Sequence, residues 1–262
     1  MKKAKSEYSI QTVTNALRLL EAFRGEQELG VTELSLELGL HKNNVFRLLA
    51  TLEQRGYIEQ SPNTERYRLG VSCVELGNAY NRGCSLVDLS RPTLLRLAKD
   101  LGETVHLAVL SQFEVVHLLS EQPDQLLHSG SRVGQRLPAY CTGLGKVLLA
   151  CGNSSLREAY DQDYVAKGGL KSRTHSTIVD RDKFFDHLRS IAAEGLAIDV
   201  EECEEGLACV AVPVFDASGL AVAALSVSGP AFRFSEESLR GRIAPAMMQA
   251  GQTLSTQLGF TQ

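Results

Sequence analysis

The chain has 262 residues, of which 44% are hydrophobic and 22% are charged, and its formal net charge at pH 7 is −4. This is the composition of an ordinary soluble globular protein, and the length suits two domains better than one. The chain contains no run of eighteen apolar residues, which excludes a membrane-spanning helix. The basic N-terminus is not followed by an apolar segment, so we expect no secretory signal and a cytoplasmic protein.

Basic residues are not concentrated in one half of the chain. Residues 1–70 hold ten Lys and Arg against nine Asp and Glu, and the remainder holds 17 against 22. This distribution excludes a general polyanion-binding protein. If the first segment binds DNA, its affinity must come from a few positioned cations and from several copies of the domain.

Residues 10–57 carry the spacing of three helices. The first runs over 10–23, and a short second helix is predicted over 32–38 with Thr32 as its N-cap. Gly39 then marks a tight turn. The third helix has four aliphatic residues at i, i+3, i+4 and i+7, which is the stripe of one helical face: Val45, Leu48, Leu49 and Leu52.

The opposite side of this third helix is polar. Arginine suits guanine and asparagine suits adenine in the major groove of DNA. A short helix, a glycine turn and a helix with a polar exposed end are typical of a helix-turn-helix, although any helical hairpin with one buried face shows a similar pattern. The candidate DNA-binding residues on this helix are Lys42, Asn43, Asn44, Arg47 and Thr51.

Residues 58–69 favour the DNA-binding interpretation. Their order of strand, polar turn and strand predicts a hairpin, which in this position is the wing of a winged helix-turn-helix. Arg66 and Arg68 lie in this hairpin, within reach of backbone phosphate. Arg66 completes the set of candidate DNA-binding residues.

The rest of the chain predicts a linker helix and an α+β domain. The linker helix spans 70–83, and its apolar side chains indicate interdomain or dimer contacts: Val71, Val74, Leu76 and Tyr80. Further helices are predicted over 85–101, 142–151, 156–160, 181–194 and, with an interruption near Pro245, 235–258. Strands are predicted over 104–110, 114–120, 196–201, 208–215 and 220–228, with a loop and one short strand over 123–136. Antiparallel hairpins with helices between them are typical of an α+β sensor domain.

Two features of this second domain indicate a ligand site. Gly143-Leu144-Gly145 opens a helix whose backbone N–H groups suit a carboxylate. The glycines allow close approach to the main chain, although a plain helix start in a tight turn has the same sequence. Ser226 and Ser228 alternate on one face of an apolar strand, and buried hydroxyl groups require partners.

The cysteines lack the spacing of a zinc site, and in the cytosol we expect them to be reduced and mostly buried: Cys73, Cys84, Cys141, Cys151, Cys203 and Cys209. A redox or metal signal built from distant residues stays open. A Cys-dependent hydrolase using Cys209 or Cys141 with His128 or His106 is less favoured, because the chain has no nucleophile elbow and no phosphate loop.

Ordered blocks of residues occur in both domains. In the first they are Ala16-Leu17-Arg18-Leu19-Leu20-Glu21, Val45-Phe46-Arg47-Leu48-Leu49 and Tyr67-Arg68-Leu69-Gly70. In the second they are Gly143-Leu144-Gly145-Lys146-Val147-Leu148-Leu149-Ala150, Gly206-Leu207-Ala208-Cys209-Val210-Ala211-Val212-Pro213 and Ser226-Val227-Ser228-Gly229-Pro230. Over almost its whole length the chain resembles the IclR (isocitrate lyase regulator) family of bacterial transcription regulators. The family usually has Ser-Thr where this chain has Asn43-Asn44, which bears on the operator sequence and not on the fold.

The resemblance implies an α+β fold with two domains. These are a winged helix-turn-helix over 1–70, a linker helix over 71–84 and a GAF-like effector domain over 85–262, whose six-stranded antiparallel sheet is flanked by helices. It also implies double-stranded operator DNA, a small organic or aromatic acid as effector, homodimers or dimers of dimers, and engagement of RNA polymerase. We therefore predict a ligand-responsive regulator of a catabolic operon, with no catalytic residues, cofactor or metal.

Matching the family block by block implies a set of pocket residues: Leu137, Gly143, Leu144, Asp199, Leu207, Cys209, Ser226 and Ser228, with Ser129 as a weaker addition. Asp199 is expected to accept from a ligand hydroxyl or to act through water, because it would repel a carboxylate. Tyr140 and Arg136 would suit an aromatic acid, but a packed tyrosine and an exposed loop arginine are the preferred interpretations.

Overall fold

The computed structural model describes residues 9–83 and 85–261, so one of the six cysteines, Cys84, lies outside the described residues. Two units are distinguished, Met1–Cys84 and Ser85–Gln262. The elements of the first unit are α1 (Gln11–Ala22), α2 (Val31–Leu38), α3 (Lys42–Gln54), β1 (Ile58–Gln60), β2 (Tyr67–Leu69) and α4 (Val71–Gly83).

The predicted glycine turn joins α2 to α3. Gly39 has a φ of +67°, and its N–H donates to the carbonyl oxygen of Leu36, so the chain leaves α2 through the left-handed region without a Cβ clash. The prediction of Thr32 as N-cap is wrong. The helix begins earlier, after Gly30, because the Glu33 carboxylate in its first turn accepts the Gly30 N–H at 2.7 Å.

The aliphatic stripe of α3 faces the core of the first unit. Val45 and Leu49 are fully buried, and Leu48 and Leu52 pack against the same core. The core is completed by residues of the neighbouring elements, including Leu19, Leu34 and Ile58. Because this side of α3 is held inward, the opposite side faces solvent.

The wing follows α3 directly. β1 and β2 pair in antiparallel fashion, with Ile58 opposite Leu69 and Gln60 opposite Tyr67. Leu29 adds a further antiparallel bridge to Tyr67, which attaches the hairpin to the segment before α2. The prediction of a winged helix-turn-helix is confirmed.

Apolar side chains of α4 remain exposed. Val71, Val74, Leu76 and Tyr80 are each more than half exposed to solvent. The interdomain or dimer contacts assigned to them stay a prediction.

The second unit is an antiparallel sheet with helices on both faces. Its helices are α5 (Ser85–Leu101), α6 (Gly143–Cys151), α7 (Ser154–Tyr160), α8 (Arg181–Glu194), α9 (Glu236–Ser238) and α10 (Ala244–Gln257). Its strands are β3 (Thr104–Ser111), β4 (Glu114–Glu121), β5 (Arg136–Pro138), β6 (Ala197–Val200), β7 (Leu207–Phe215) and β8 (Ala221–Pro230). They pair in the order β5-β4-β3-β8-β7-β6, and every pairing is antiparallel. The six-stranded sheet is confirmed.

Successive side chains along each strand point to opposite faces of the sheet, and each face packs into its own hydrophobic core. On one face Val210, Leu225 and Val227 pack with residues of α5 and α10. On the other face Ala211 and Ala224 pack with α6 and α8. Since Ser226 and Ser228 lie two and four residues beyond Ala224, they point to the α6 side.

Two parts of the second unit differ in detail from the prediction. The short strand near 123–136 falls later, over Arg136–Pro138, where it pairs with β4 at the sheet edge. The last helix is interrupted before Pro245 by a wide turn over Leu239–Ile243. Pro245 then occupies the first turn of α10, where a missing backbone N–H costs nothing. Among the helices of the described ranges, none is both long and apolar enough to cross a bilayer.

Candidate functional site

The exposed side of α3 carries the predicted DNA-binding side chains. His41 precedes the helix and caps it, because its Nδ1 accepts the N–H of Asn43 at 3.4 Å. The five predicted residues of α3 are all exposed: Lys42, Asn43, Asn44, Arg47 and Thr51. Phe46, which the sequence analysis did not single out, is also 58% exposed on this helix. The structure therefore presents amide, guanidinium and ammonium groups together on one solvent-facing surface.

Arg66 of the wing has partners within its own unit. Its Nη2 atom lies 2.7 Å from Glu33 Oε2 and 3.0 Å from the carbonyl oxygen of Glu28. Arg68 is similarly paired with Glu59 at 2.7 Å. To contact a DNA phosphate, the Arg66 guanidinium must either bind the phosphate and the Glu33 carboxylate together or leave the carboxylate for the phosphate. The phosphate contact of Arg66 therefore stays a prediction.

The second unit contains a small cavity of about 40 Å³ against the N-terminus of α6. Eight of the nine predicted effector-binding residues line it: Leu137, Gly143, Leu144, Asp199, Leu207, Cys209, Ser226 and Ser228. The ninth, Ser129, is buried, and its carbonyl oxygen accepts the hydroxyl of Thr104. The cavity is lined in addition by five residues that the sequence analysis did not assign to it: His106, His117, Arg132, Thr142 and Cys203.

The glycines at the start of α6 are required by packing. A Cβ on Gly145 would lie 2.3 Å from the backbone of Ala139, and one on Gly143 would lie 2.8 Å from Cys209 Sγ. The N–H of Gly145 already donates to the N-cap hydroxyl of Thr142 at 3.2 Å. The expectation that both glycines open the main chain to a ligand is therefore wrong for Gly145, whose amide belongs to the helix cap.

Asp199 is a buried carboxylate at the β6 side of the cavity. Its Oδ1 accepts the N–H of Glu202 at 2.9 Å, and its Oδ2 lies 3.7 Å from Cys209 Sγ. Burial raises the pKa of Asp199, while the positive charge of Lys146 and the N–H of Gly143 act in the opposite direction. The positive end of α6 thus already faces the carboxyl group of Asp199.

Two histidines form the opposite wall of the cavity. His106 lies between two hydroxyl groups, with Nδ1 at 2.8 Å from Ser120 Oγ and Nε2 at 3.0 Å from Ser228 Oγ. The His117 ring meets the His106 ring edge-on, with 5.3 Å between centroids. Burial lowers the pKa of His106 to about 3 and that of His117 to about 4. Both imidazoles are therefore neutral at pH 7, each with one donor and one acceptor nitrogen.

The cysteine chemistry expected of a hydrolase is not supported by the environment of the thiols. Burial raises the pKa of Cys209, and the pKa of Cys141 is raised by its hydrogen bond with Cys203 and by burial. A nucleophilic cysteine requires the reverse shift. His106 contacts serines, and His128 Nδ1 lies 2.9 Å from the carbonyl oxygen of Ser129. Among the described residues, no group of three or more His, Cys, Asp and Glu is arranged to hold a metal.

Sequence profiles of known families match most of the chain. The IclR helix-turn-helix domain matches residues 12–62, and the domain described as the C-terminal part of the bacterial transcriptional regulator IclR matches residues 79–256. The chain belongs to the IclR family. It is therefore a transcription regulator with a DNA-binding domain and an effector-binding domain.

Relatives in the IclR family cover nearly the whole chain. The HTH-type transcriptional regulator KdgR of Escherichia coli (strain K12) is 35% identical over 256 residues, which are 96% of this chain and 94% of the relative. The Pca regulon regulatory protein of Pseudomonas putida is 32% identical over 250 residues, 94% of this chain and 84% of the relative.

Solved structures of IclR regulators share the fold. The IclR transcriptional regulator of Alicyclobacillus acidocaldarius has a TM-score of 0.84 at 25% identity, over 95% of this chain and 99% of that one. An IclR homolog of Microbacterium hydrocarbonoxydans, solved with 4-hydroxybenzoate, has a TM-score of 0.79 at 22% identity, over 95% and 99% of the two chains. The latter likeness shows the fold alone.

The additional cavity residues carried a weak signal in the sequence. His106 falls two residues after Thr104 on β3, on the face that alternation assigns to α6. Its register partner on β8 is Ser226, and its ring contacts the diagonal neighbour Ser228. A histidine inside an apolar strand is more often a core or surface residue, so the strand pattern alone did not select it. Arg132 lies on the connection between β4 and β5, whose position no local pattern specifies.

Proposed function

We propose that this IclR-family protein is a ligand-responsive regulator of a catabolic operon, acting on operator DNA in the cytoplasm. The observation that supports a ligand response is the cavity of the second unit, because polar side chains from several strands and from the start of α6 converge on it. We infer that the ligand is a small organic or aromatic acid. The IclR homolog that was solved with 4-hydroxybenzoate, an aromatic acid, is in line with such a signal.

In this proposal α3 enters the major groove. Arg47, Asn43 and Asn44 contact base edges, because they project from the exposed side of the helix. Lys42 lies at the exposed start of the helix, where an ammonium group contacts phosphate. The Thr51 hydroxyl group donates a hydrogen bond to the carbonyl oxygen of Arg47 at 2.8 Å. The Thr51 hydroxyl oxygen is therefore left to accept a hydrogen bond from DNA. Arg66 contacts the DNA backbone from the wing.

The effector lies against the start of α6. Ser226, Ser228 and Asp199 provide polar contacts, and Leu137, Leu144 and Leu207 provide the apolar walls. Gly143 and Cys209 lie in contact distance of one another and shape the end of the cavity. Ser129 contributes indirectly, because its carbonyl oxygen accepts a hydrogen bond from Thr104 of β3.

The protein works as a homodimer or a dimer of dimers, with RNA polymerase as a further partner. The exposed apolar residues of α4 support self-association, since exposed apolar side chains favour a protein partner over water. Sedimentation equilibrium of the wild type and of Val74→Ser tests this assembly. A monomeric wild type at micromolar concentration would contradict it.

The ligand response is tested with an operator selected from random duplex DNA. We expect organic acids that raise the melting temperature of the protein to change its operator affinity. The double variant Ser226→Ala/Ser228→Ala should bind the operator as the wild type does and lose the response. Ser218→Ala, in the exposed turn between β7 and β8, serves as the matched control. A full response in the double variant would refute the assigned site.

A redox signal is the second candidate function, supported by two neighbouring thiols. The Cys141 thiol hydrogen-bonds to Cys203, which lowers the pKa of Cys203, and Cys203 lines the cavity. Operator binding after diamide treatment distinguishes the two signals. Loss of operator binding in the wild type but not in Cys203→Ser would favour the redox signal, whereas equal binding would favour the acid.

A further inference from the structure

Two cysteines from distant parts of the second unit lie side by side. Cys141 lies between β5 and α6, and Cys203 lies on the turn after β6. Cys203 packs against the buried core to which Cys141 belongs, and the Cys141 S–H donates a hydrogen bond to the Cys203 sulfur. A covalent bond between these two thiols would therefore join the start of α6 to the β6 side of the cavity.

Cys203 is the thiol of this pair that a small molecule in the cavity meets. Cys203 lines the cavity, whereas Cys141 is completely buried behind it and is not a lining residue. The cavity volume of about 40 Å³ exceeds the roughly 10–15 Å³ that one water molecule requires. A molecule as small as hydrogen peroxide therefore has room beside the Cys203 sulfur.

The groups around Cys203 favour its thiolate form. The Nε–H of Arg173 donates to the Cys203 carbonyl oxygen at 3.1 Å, and Arg132 lines the same cavity. The hydrogen bond from Cys141 lowers the pKa of Cys203, and the positive charges of Arg173 and Arg132 act in the same direction, whereas burial and Asp199 oppose them. Nearby arginines are typical surroundings of a reactive cysteine.

Cys209 also lines the cavity, but its surroundings are the reverse of those of Cys203. Burial and the negative charge of Asp199 raise the pKa of Cys209, and its Sγ lies 3.7 Å from Asp199 Oδ2. Of the five cysteines that the structure describes, Cys203 alone has a lowered pKa. Because the thiolate is the form that attacks an oxidant, the first oxidation falls on Cys203.

From this arrangement we propose that Cys203 and Cys141 form a peroxide-sensitive dithiol, in which Cys203 reacts with hydrogen peroxide and Cys141 then closes a disulfide bond that changes operator binding. The inference rests on the proposed function, because it gives the redox signal an oxidant and a site. It does not depend on an organic-acid ligand.

The reaction balances with hydrogen peroxide as the oxidant. The Cys203 thiolate attacks one peroxide oxygen, the O–O bond breaks, and the departing hydroxide takes up the proton that the thiol released. The product is a sulfenic acid on Cys203 and one water molecule. The Cys141 sulfur then attacks the Cys203 sulfur, and the sulfenic hydroxyl group leaves as water with the Cys141 proton. Two thiols and one peroxide thus give one disulfide and two water molecules.

The disulfide would link two segments that already form the cavity wall. Cys141 directly precedes Thr142, the N-cap of α6. Glu202, the neighbour of Cys203, contacts the Lys146 ammonium group of α6. A covalent bond here restricts movement between α6 and the turn after β6. We therefore expect the oxidised and reduced proteins to differ roughly fivefold or more in operator affinity, the lower end of typical allosteric couplings.

Peptide mapping of the full chain tests the bond itself. The reduced protein is treated with hydrogen peroxide, alkylated and digested without reductant. A glutamate-specific protease cleaves after Glu204 and Glu205 and so separates Cys203 from Cys209. We expect a linked peptide that contains Cys141 and Cys203. A link to Cys209 in its place, or two free thiols at 141 and 203 after treatment, would overturn the proposal.

Three variants test the role of each thiol. Cys141→Ser should stop at the sulfenic acid, which dimedone labels on Cys203, and Cys203→Ser should form neither product. Cys151→Ser is the matched control, because Cys151 lies at the far end of α6 and burial raises its pKa to about 11. It should form the disulfide as the wild type does. Dimedone labelling of Cys141 in the Cys203→Ser protein would contradict the assigned roles.

Operator binding separates failure of this inference from failure of the proposed function. Peroxide should change the operator affinity of the wild type and of Cys151→Ser, dithiothreitol should restore it, and Cys203→Ser should not respond. If the disulfide forms and the affinity stays the same, the switch is wrong and the regulator remains. If the reduced protein selects no operator, the proposed function itself fails. Equal melting temperatures of the reduced variants and the wild type exclude misfolding as the cause.

Discussion

Lys146 of α6 and Glu202 of the turn after β6 form an ion pair inside the second unit. The Lys146 side chain is completely buried, and Nζ contacts Glu202 Oε1 and lies 3.3 Å from His187 Nε2. The other carboxylate oxygen of Glu202 is buried without a hydrogen-bond partner among the described residues. Because the Glu202 N–H donates to Asp199, this pair also supports the cavity wall.

We expect Lys146→Met to destabilise the second unit strongly. Removing the ammonium group leaves the Glu202 carboxylate buried and unpaired, which costs about 3–5 kcal/mol. The double variant Lys146→Met/Glu202→Leu should recover much of this loss, because no charge then remains buried. Urea unfolding measures the free energies, and Lys167→Met, which removes an exposed pair with Asp163, is the control. A single variant as stable as the wild type would show that the pair contributes nothing.

The buried histidines predict a loss of stability in acid. The pKa values of His106 and His117 are lowered from 6.5 to about 3 and about 4 in the folded state. At pH values between these lowered pKa values and 6.5, the histidines of the unfolded chain bind protons that the folded chain excludes. The two histidines therefore contribute fully to the free energy of unfolding above pH 6.5, and this contribution is lost as the pH falls. The raised pKa values of Asp199 and Glu202 act in the opposite direction.

His106→Asn isolates one histidine from the other groups. At pH 5 the penalty for the His106 imidazole is on the order of 2 kcal/mol, so the variant should lose less stability than the wild type between pH 7 and pH 5. The comparison uses the slope of unfolding free energy against pH, because the substitution also removes bonds to Ser120 and Ser228. Parallel slopes would mean that His106 takes up its proton in the folded state.

Gly145→Ala should destabilise the protein more than Gly143→Ala. At 145 the new Cβ meets the backbone of Ala139 at 2.3 Å, whereas at 143 it meets the Cys209 sulfur at 2.8 Å, and a side chain yields more easily. Alanine favours a helix by about 1 kcal/mol, but overpacking against fixed backbone should leave a net loss of roughly 2 kcal/mol or more.

Urea unfolding checks this order, with Gly241→Ala as the control because nothing lies within 4 Å of its Cβ position. We expect Gly241→Ala to be neutral or slightly stabilising, because it meets no steric clash. If Gly143→Ala destabilised the protein more than Gly145→Ala, the close contact with the Ala139 backbone would not be at Gly145.

Arg47→Ala should weaken operator binding by ~1–3 kcal/mol and relax the preference at one base pair. The guanidinium projects from the exposed side of α3, so its removal should leave thermal unfolding unchanged. Gel-shift titrations with a set of single-base operator variants measure both effects. The control is Arg24→Ala, which removes an exposed arginine that pairs with Glu21 at the end of α1 and should change neither the affinity nor the base preference. If Arg47→Ala kept the affinity and base preferences of the wild type, the placement of α3 in the groove would be contradicted.

Local patterns predicted those elements whose signals lie within a few residues of each other. The bounds of α8, Arg181–Glu194, agree with the predicted 181–194, because its apolar face repeats at the helical period and Gly195 ends it in the left-handed region. The inner face of α3 followed from four aliphatic residues in the same way. The start of α2 was misplaced because a threonine near a helix start competes with Gly30 and Glu33 for the cap, and small differences in local energy decide between them.

The periodicity of the chain and its family blocks were enough to predict the winged helix-turn-helix and the six-stranded sheet. Of the nine effector-binding residues that they predicted, eight line the cavity. They did not show that His106, His117 and Arg132 close that cavity, nor that the Gly145 amide is already used. Strand alternation assigns a side chain to a face, but whether that face is filled or hollow depends on connections that come from distant parts of the chain. Which side chains close the cavity is therefore a property of the packed molecule.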